Sequence, residues 1–217
     1  MKRILILCEG QTEETFVTRI LAPHLQQFEK ILIPKVLTTK KVKSGREFHG
    51  GITSYAHIRR DLKHLLRDTN AICITTMLDY YGLPNDFPGK ESLHGETPYL
   101  RVAALEQAFA KDIGEPRFLP YLMLHEFEAL LFVDLNAVIE TLVSQITPQE
   151  FGDLNRFSSP EEIDDGVHTH PAARLQQRLR GYRKALHGPL AVERIGLPRL
   201  RARCPHFDEW LKKPESL

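Results

Sequence analysis

Apolar and polar positions fall into three patterns along the chain. The first is a short unbroken apolar run. Ile4-Leu5-Ile6-Leu7-Cys8, the stretch AICITTML from Ala71 to Leu78 and the stretch FLPYLML from Phe118 to Leu124 are such runs. Each is bounded by turn residues and reads as a strand buried on both faces. Ile31 to Leu37 is rich in β-branched residues and reads as one more strand. The second pattern has helical spacing. Glu13 to about Phe28 places Phe16, Val17, Ile20 and Leu21 on one side, with Thr12 as its N-cap and Pro23 ending or kinking its regular part. A helix from about Thr53 to Arg67, opened by Gly50-Gly51, carries Ile58, Leu62, Leu65 and Leu66 on one stripe. Further helices are predicted over Pro98 to Phe109 and Ala173 to Arg183, with two short ones between Leu190 and Leu211. The third pattern is polar and broken by Gly and Pro. It predicts loops over Lys40 to Gly51 and Asp86 to Thr97. Val133 to Ile163 is helical only in patches, and Ser159-Pro160-Glu161-Glu162 reads as a capped helix start.

Strands alternating with helices predict an α/β fold. A mostly parallel, Rossmann-like central sheet is flanked by helices and followed by a helical C-terminal part. The expected division is an α/β core over residues 1–135 and a helical extension over 136–217, packed on that core. A chain of 217 residues that is 42% hydrophobic can fill a core of this size. No run of eighteen apolar residues occurs, so no membrane span is expected. The apolar part of the N-terminus is too short for a signal peptide. Cys8, Cys73 and Cys204 are scattered, and the first two lie in strand-like runs. Reduced, buried thiols in a cytoplasmic protein are expected, not disulfides or a zinc site.

The chemistry sits where the apolar runs end. Glu9 and Gly10 follow the first run, and Glu13 stands four residues beyond Glu9. Glycine permits the sharp turn that this exit needs. Asp79 follows the second long run directly, and Tyr80-Tyr81-Gly82 come next. The third run ends in His125-Glu126-Phe127-Glu128. Carboxyl ends of parallel strands share one edge of a sheet, where open α/β folds build their sites. Carboxylates meeting there suit Mg²⁺ or Mn²⁺. Glu9 and Asp79, with Glu126 or Glu128, are the expected ligands. His125 is either a ligand, a base or an orienting group, or a hydrogen-bonded core histidine. Lys184 or Arg174 is the candidate to neutralise a phosphate, against the alternative of plain surface charge. His168 to Pro171, HTHP, reads as a loop rather than a metal pair. The phosphate-cradling loop G-x-x-x-x-G-K of nucleotide hydrolases is absent.

Charge adds a further element. The net charge is only +1, yet Lys35 to Arg67 holds nine Lys/Arg against two Asp/Glu. Pro171 to Leu217 holds eleven against four, and Glu126 to Asp165 holds one against ten. Basic blocks around an acidic centre suit a nucleic acid held over a cation site, with Arg59, Arg60, Lys63, Arg174 and Lys184 as phosphate contacts. The alternative is that the blocks neutralise one another within the fold.

The segments CEGQTEETF, TTMLDYYGLP, HEFEALLF, YRKALHG and CPHFDEWL occur in this order. On them the chain resembles, over essentially its full length, the bacterial domain-of-unknown-function family 4276. That family is similar to Toprim domains and to the overcoming-lysogenization-defect nucleases. The resemblance implies a Toprim-like fold and Mg²⁺- or Mn²⁺-dependent hydrolysis of DNA or RNA in a phage-defence system. It puts a metal or base role on Glu9, and metal roles on Glu13 and Asp79. The usual Asp-x-Asp is Asp79-Tyr80-Tyr81 here, so the second aspartate is missing. Glu126 or Glu128 would have to replace it. An ABC-type ATPase partner is implied as well, and with it the rival reading of a non-catalytic regulatory subunit. Whether the chain forms homo-oligomers is left open.

Overall fold

The computed structural model describes residues 1–38, 52–93, 97–142, 147–163, 166 and 168–217, apart from the side chains of residues 150 and 155. The loop expected over Lys40 to Gly51 and the Gly50-Gly51 opening lie outside these residues. Strands β1 (Lys2–Cys8), β2 (Lys30–Val36), β3 (Ala71–Asp79), β4 (Phe118–Leu119) and β5 (Leu122–Met123) form the sheet. Its order is β2-β1-β3-β4, with β5 also on β3, and every pairing is parallel.

The apolar run of β1 pairs on both sides, and Ile4 to Cys8 are at most 4% exposed. Alternation sends Ile4, Ile6 and Cys8 to one face and Leu5 and Leu7 to the other. The second face is covered by α3 (Tyr55–Leu65) and α4 (Pro98–Ile113). The first carries α1 (Gln11–Phe16), a π-helical stretch (Val17–Leu21) and α2 (Ala22–Gln26). Beyond a 3₁₀ segment (Phe127–Val133) and α5 (Leu135–Leu142) come α6 (Pro171–Arg178), α7 (Lys184–Ile195), α8 (Leu197–Arg203) and α9 (Pro205–Ser216). Val192 of α7 and Trp210 of α9 belong to the same apolar core as Ile4 and Ile6. Trp210 also donates its indole N–H to Thr75 of β3 at 3.0 Å. The C-terminal helices therefore form a direct layer on the sheet.

Several boundaries differ from the sequence pattern, each for a local reason. The N-cap of α1 is Gly10, not Thr12: Glu13 reaches back to accept the Gly10 N–H at 2.9 Å, which moves the helix start toward the strand. The π-helical stretch precedes Pro23, whose missing N–H does not fit a regular ladder. The helix expected over Ala173 to Arg183 ends at Arg178, and the chain turns at Gly181 with φ +82°. Lys184 therefore opens α7 instead of trailing α6.

Pro120 splits the third run into β4 and β5, because proline has no ladder N–H to give. The gap is bridged by a buried side chain. Thr76 Oγ1 accepts the Tyr121 N–H at 2.9 Å and donates to the Tyr121 carbonyl at 2.8 Å. Thr76→Val strands a buried donor and acceptor, and a loss of roughly 2–3 kcal/mol is expected. The midpoint of urea unfolding measures it; an unchanged midpoint contradicts the role given to Thr76.

The charge blocks meet within the fold. Arg178 pairs with Asp153 at 3.1 Å, Arg194 with Glu140 at 3.2 Å, and Arg199 with Asp134. The C-terminal basic block thus neutralises much of the acidic one.

Candidate active site

Three parallel strands end side by side, and the chain leaving each brings a carboxylate to the same edge. Glu9 leaves β1, Asp79 ends β3, and Glu128 lies in the 3₁₀ segment that follows β5. Backbone bonds fix the exits: Glu9 N–H donates to the Met77 carbonyl at 3.1 Å, Tyr80 N–H to Met123 at 3.0 Å and Tyr81 N–H to His125 at 2.9 Å. His125 itself has φ +62°, a strained conformation for a residue with a side chain. It makes the tight turn, closed by Glu126 N–H on the Leu124 carbonyl at 2.9 Å, that swings the chain back over the strand ends. His125 is fully buried.

The side chains then converge on one cation. Lys184 Nζ lies 3.0 Å from Asp79 Oδ2, 3.1 Å from Glu128 Oε2 and 3.6 Å from Glu13 Oε1. Asp79 Oδ1 accepts the Phe127 N–H at 3.0 Å, and Glu9 Oε2 accepts the Asp79 N–H at 3.0 Å. Gly188, one turn into α7, allows this approach: a Cβ there would meet Phe127 at 3.2 Å and Thr12 at 3.4 Å. Gly82 plays a similar part beside Glu9, whose Oε1 lies 3.3 Å from where a Cβ would stand. Phe16 packs edge-on against Phe127 at 5.6 Å and ties the helix of Glu13 to the segment of Glu128.

Three carboxylates pair with one ammonium and a fourth, Glu9, stands behind Asp79, so the cluster holds more acids than cations. Burial, then Asp79 and Glu13, push the Glu9 carboxyl up to about 8. Burial pushes Glu128 up to about 7; the Lys184 charge opposes that rise, while Asp79 and then Glu126 add to it. Glu13 is raised by burial and then by Asp79. Burial alone would weaken the Lys184 ammonium, but Asp79, Glu128 and Glu13 outweigh it and hold its pKa well above the usual value. The Lys184 side chain is 36% exposed, whereas those of Glu13, Asp79 and Glu128 are at most 7% exposed, so the cluster opens to solvent on the lysine side.

Other candidates are placed elsewhere. Glu126 is separated from Lys184: its Oε2 accepts from His170 Nδ1 and from the Ala172 N–H, both at 2.9 Å, at the start of α6. Glu126 and Glu128 point apart because one precedes the 3₁₀ turn and the other lies inside it. Arg174 is 5% exposed and donates to Asp153 and to the Thr169 carbonyl, which is a structural role, not a phosphate contact. Arg59 pairs with Asp112 at 3.2 Å, and Arg60 with Asp61 at 2.8 Å. Lys63 is exposed on α3. Tyr182 was not singled out by the sequence reasoning. Its buried hydroxyl is raised far above the usual phenol value by burial and then by the Glu128 charge. Its position two residues before Lys184, in YRKALHG, was the available signal.

A family model matches residues 8–213. The chain belongs to DUF4276, a family described as a domain of unknown function. No curated protein and no solved structure shows significant similarity to it.

In this DUF4276 chain, the described residues hold no three His, Cys, Asp or Glu side chains already spaced as a metal cage. The donor chemistry nevertheless fits a hard cation. Glu13 Oε1 and both Glu128 oxygens are buried and accept no hydrogen bond. One ammonium is a small counter-charge for four acids, and oxygen-only donors match Mg²⁺ or Mn²⁺. No helix among the described residues is long and apolar enough to cross a membrane.

Proposed function

We propose that this protein hydrolyses phosphodiester bonds in nucleic acid with the help of a divalent cation. One observation carries the reading. Carboxylates from two strand ends and from α1 meet on a single solvent-accessible lysine at the carboxyl edge of a parallel sheet, and the carboxylate of a third strand exit, Glu9, is tied to Asp79 beside them. The resemblance to Toprim-type nucleases supports it further. Glu13, Asp79 and Glu128, with Glu9 beside them, would hold Mg²⁺ or Mn²⁺. The ion would supply Lewis-acid activation of the phosphate and a bound water that ionises near neutral pH.

The protein's own groups do the rest. Asp79 is fixed by the Phe127 N–H, and its backbone in turn fixes Glu9. Glu9, with its raised pKa, is suited to take a proton from water near pH 8. The oxygens that would hold the cation are the ones Lys184 pairs with. The Lys184 ammonium, on the open side of the site, would neutralise charge that develops on the phosphate.

The test is cleavage of single- and double-stranded DNA and RNA with Mg²⁺ or Mn²⁺, for the wild type and Glu9→Gln. Metal-dependent cleavage by the wild type, reduced at least about a hundredfold by Glu9→Gln, is expected. Absence of cleavage by the wild type, alone and with a partner ATPase, refutes the reading. A second reading, a non-catalytic regulatory subunit of an ABC-type ATPase, is favoured by the ammonium that already occupies the centre of the cluster. Calorimetry separates the two, because that subunit requires no Mg²⁺ or Mn²⁺ binding.

A further inference from the structure

The turn after Asp79 carries an aromatic side chain that the proposed chemistry does not use. Tyr81 is 38% exposed. Its ring is stacked on His170, with centroids 4.8 Å apart and planes 18° apart. Another stacked tyrosine provides the contrast. Tyr121 lies between His206 at 5.2 Å and Trp210 at 4.4 Å and is 1% exposed, as expected of a ring used for core packing. Tyr81 has the same stacked geometry but keeps much of its surface in water.

The Tyr81 ring is also held firmly. The Tyr81 N–H donates to the His125 carbonyl at 2.9 Å. His170 is held by its Nδ1 on Glu126 Oε2, an oxygen that also accepts the Ala172 N–H. The acid that sequence reasoning offered as a metal ligand thus braces the histidine behind Tyr81. A preorganised aromatic face loses little freedom when a flat ligand settles on it.

The position links this face to the carboxylate cluster. Asp79 lies two residues before Tyr81, so their Cα atoms are at most about 7.6 Å apart. Gly82, the next residue, stands against Glu9. The platform and the cluster therefore share one strand-end turn, from Asp79 through Gly82.

We infer that Tyr81, backed by His170, is a stacking platform for an unpaired base, and that the substrate class is single-stranded nucleic acid. A base inside a duplex is covered on both faces by its neighbours and cannot occupy such a platform; an unpaired base can. The choice of single strands rests on the hydrolase reading for where the phosphate sits. The stacking itself does not depend on that reading.

The experiment uses Tyr81→Trp. The native Trp210 is 3% exposed, so the new indole is the one that solvent and ligand reach. Without added metal, oligothymidylate and oligouridylate are expected to quench its fluorescence. Their duplexes with oligoadenylate should bind at least about tenfold more weakly, and thymidine monophosphate should not saturate at comparable concentrations. In the wild-type background, Tyr81→Ala is expected to weaken single-strand binding about tenfold and Tyr81→Phe to preserve it. An abasic strand keeps the phosphates and removes the bases. On it the wild type and Tyr81→Ala should bind alike, a result that a purely structural tyrosine would not give.

Equal quenching by duplex and single strand overturns the inference, as does full quenching by the mononucleotide or a Tyr81→Ala defect that persists on the abasic strand. Metal-dependent cleavage without quenching removes the platform and leaves the hydrolase. Quenching without cleavage of any substrate keeps the platform and removes the hydrolase.

Discussion

Asp79→Asn is expected to cut metal-dependent cleavage by about a thousandfold or more, roughly 4 kcal/mol of transition-state stabilisation, while the protein stays folded. Asp79 holds the cluster together through both of its oxygens. Oδ1 accepts the Phe127 N–H and Oδ2 faces Lys184. Asparagine retains an acceptor for Phe127, so the 3₁₀ segment keeps its anchor. It presents an amide in place of the charge that attracts Lys184 and would attract a cation. Lys184 retains Glu128 and Glu13 as partners. Cleavage rates with Mn²⁺, read beside thermal melting of the same sample, test this. A variant that melts normally and keeps more than a tenth of wild-type activity would falsify the central place given to Asp79.

The second large effect is on stability, and its sign is opposite to that of most carboxylates. A carboxyl raised from 4.5 in the unfolded chain to about 8 (Glu9) or about 7 (Glu128) binds its proton more tightly in the folded state. The folded state then holds more protons than the unfolded state between pH 4.5 and those values. Stability therefore falls as pH rises through that window, by up to about 1.4 kcal/mol per pH unit for each proton involved. The two acids share Lys184 and Asp79, so their combined slope is smaller than two independent groups would give.

His206 acts in the same direction. Burial alone would lower its pKa, but the hydrogen bond to Glu106 raises it, so its contribution is present at low pH and lost as it deprotonates. Glu9→Gln isolates the cluster. In EDTA, the wild type is expected to unfold at lower urea at pH 8 than at pH 5. Glu9→Gln should show a distinctly flatter dependence and be the more stable protein at pH 8. Mn²⁺ at pH 8 should restore the wild type and do less for the variant. A wild type that gains stability from pH 5 to pH 8, with Glu9→Gln following in parallel, contradicts the charge balance described here.

The pH effect follows from burying acids that lack enough partners for their charge. Glu128 has no exposed surface, and neither of its oxygens accepts a hydrogen bond. Burying a charge in that way costs free energy that an all-apolar site would not. Such a cost persists where a site needs groups ready to receive a cation or a proton.

The sequence by itself determined the sheet and its edge. The three apolar runs and the β-branched stretch from Ile31 became parallel strands, because short segments rich in apolar and β-branched residues have few alternatives. Once those strands were parallel, Glu9 and Asp79 had to emerge together, since each directly follows or ends a run. Tertiary structure alone chose between Glu126 and Glu128, because a single strained turn at His125 sends one to α6 and the other to the cluster. It also brought in Lys184, 105 residues from Asp79, by ending α6 early and closing α7 over Gly188. Arg174 was removed from the chemistry and buried against Asp153, and His170 was set behind Tyr81. The physical reason is common to all of these. Local pattern fixes which face of an element is apolar. Which polar groups meet depends on how separately formed elements pack, and spacing along the chain carries almost no record of that.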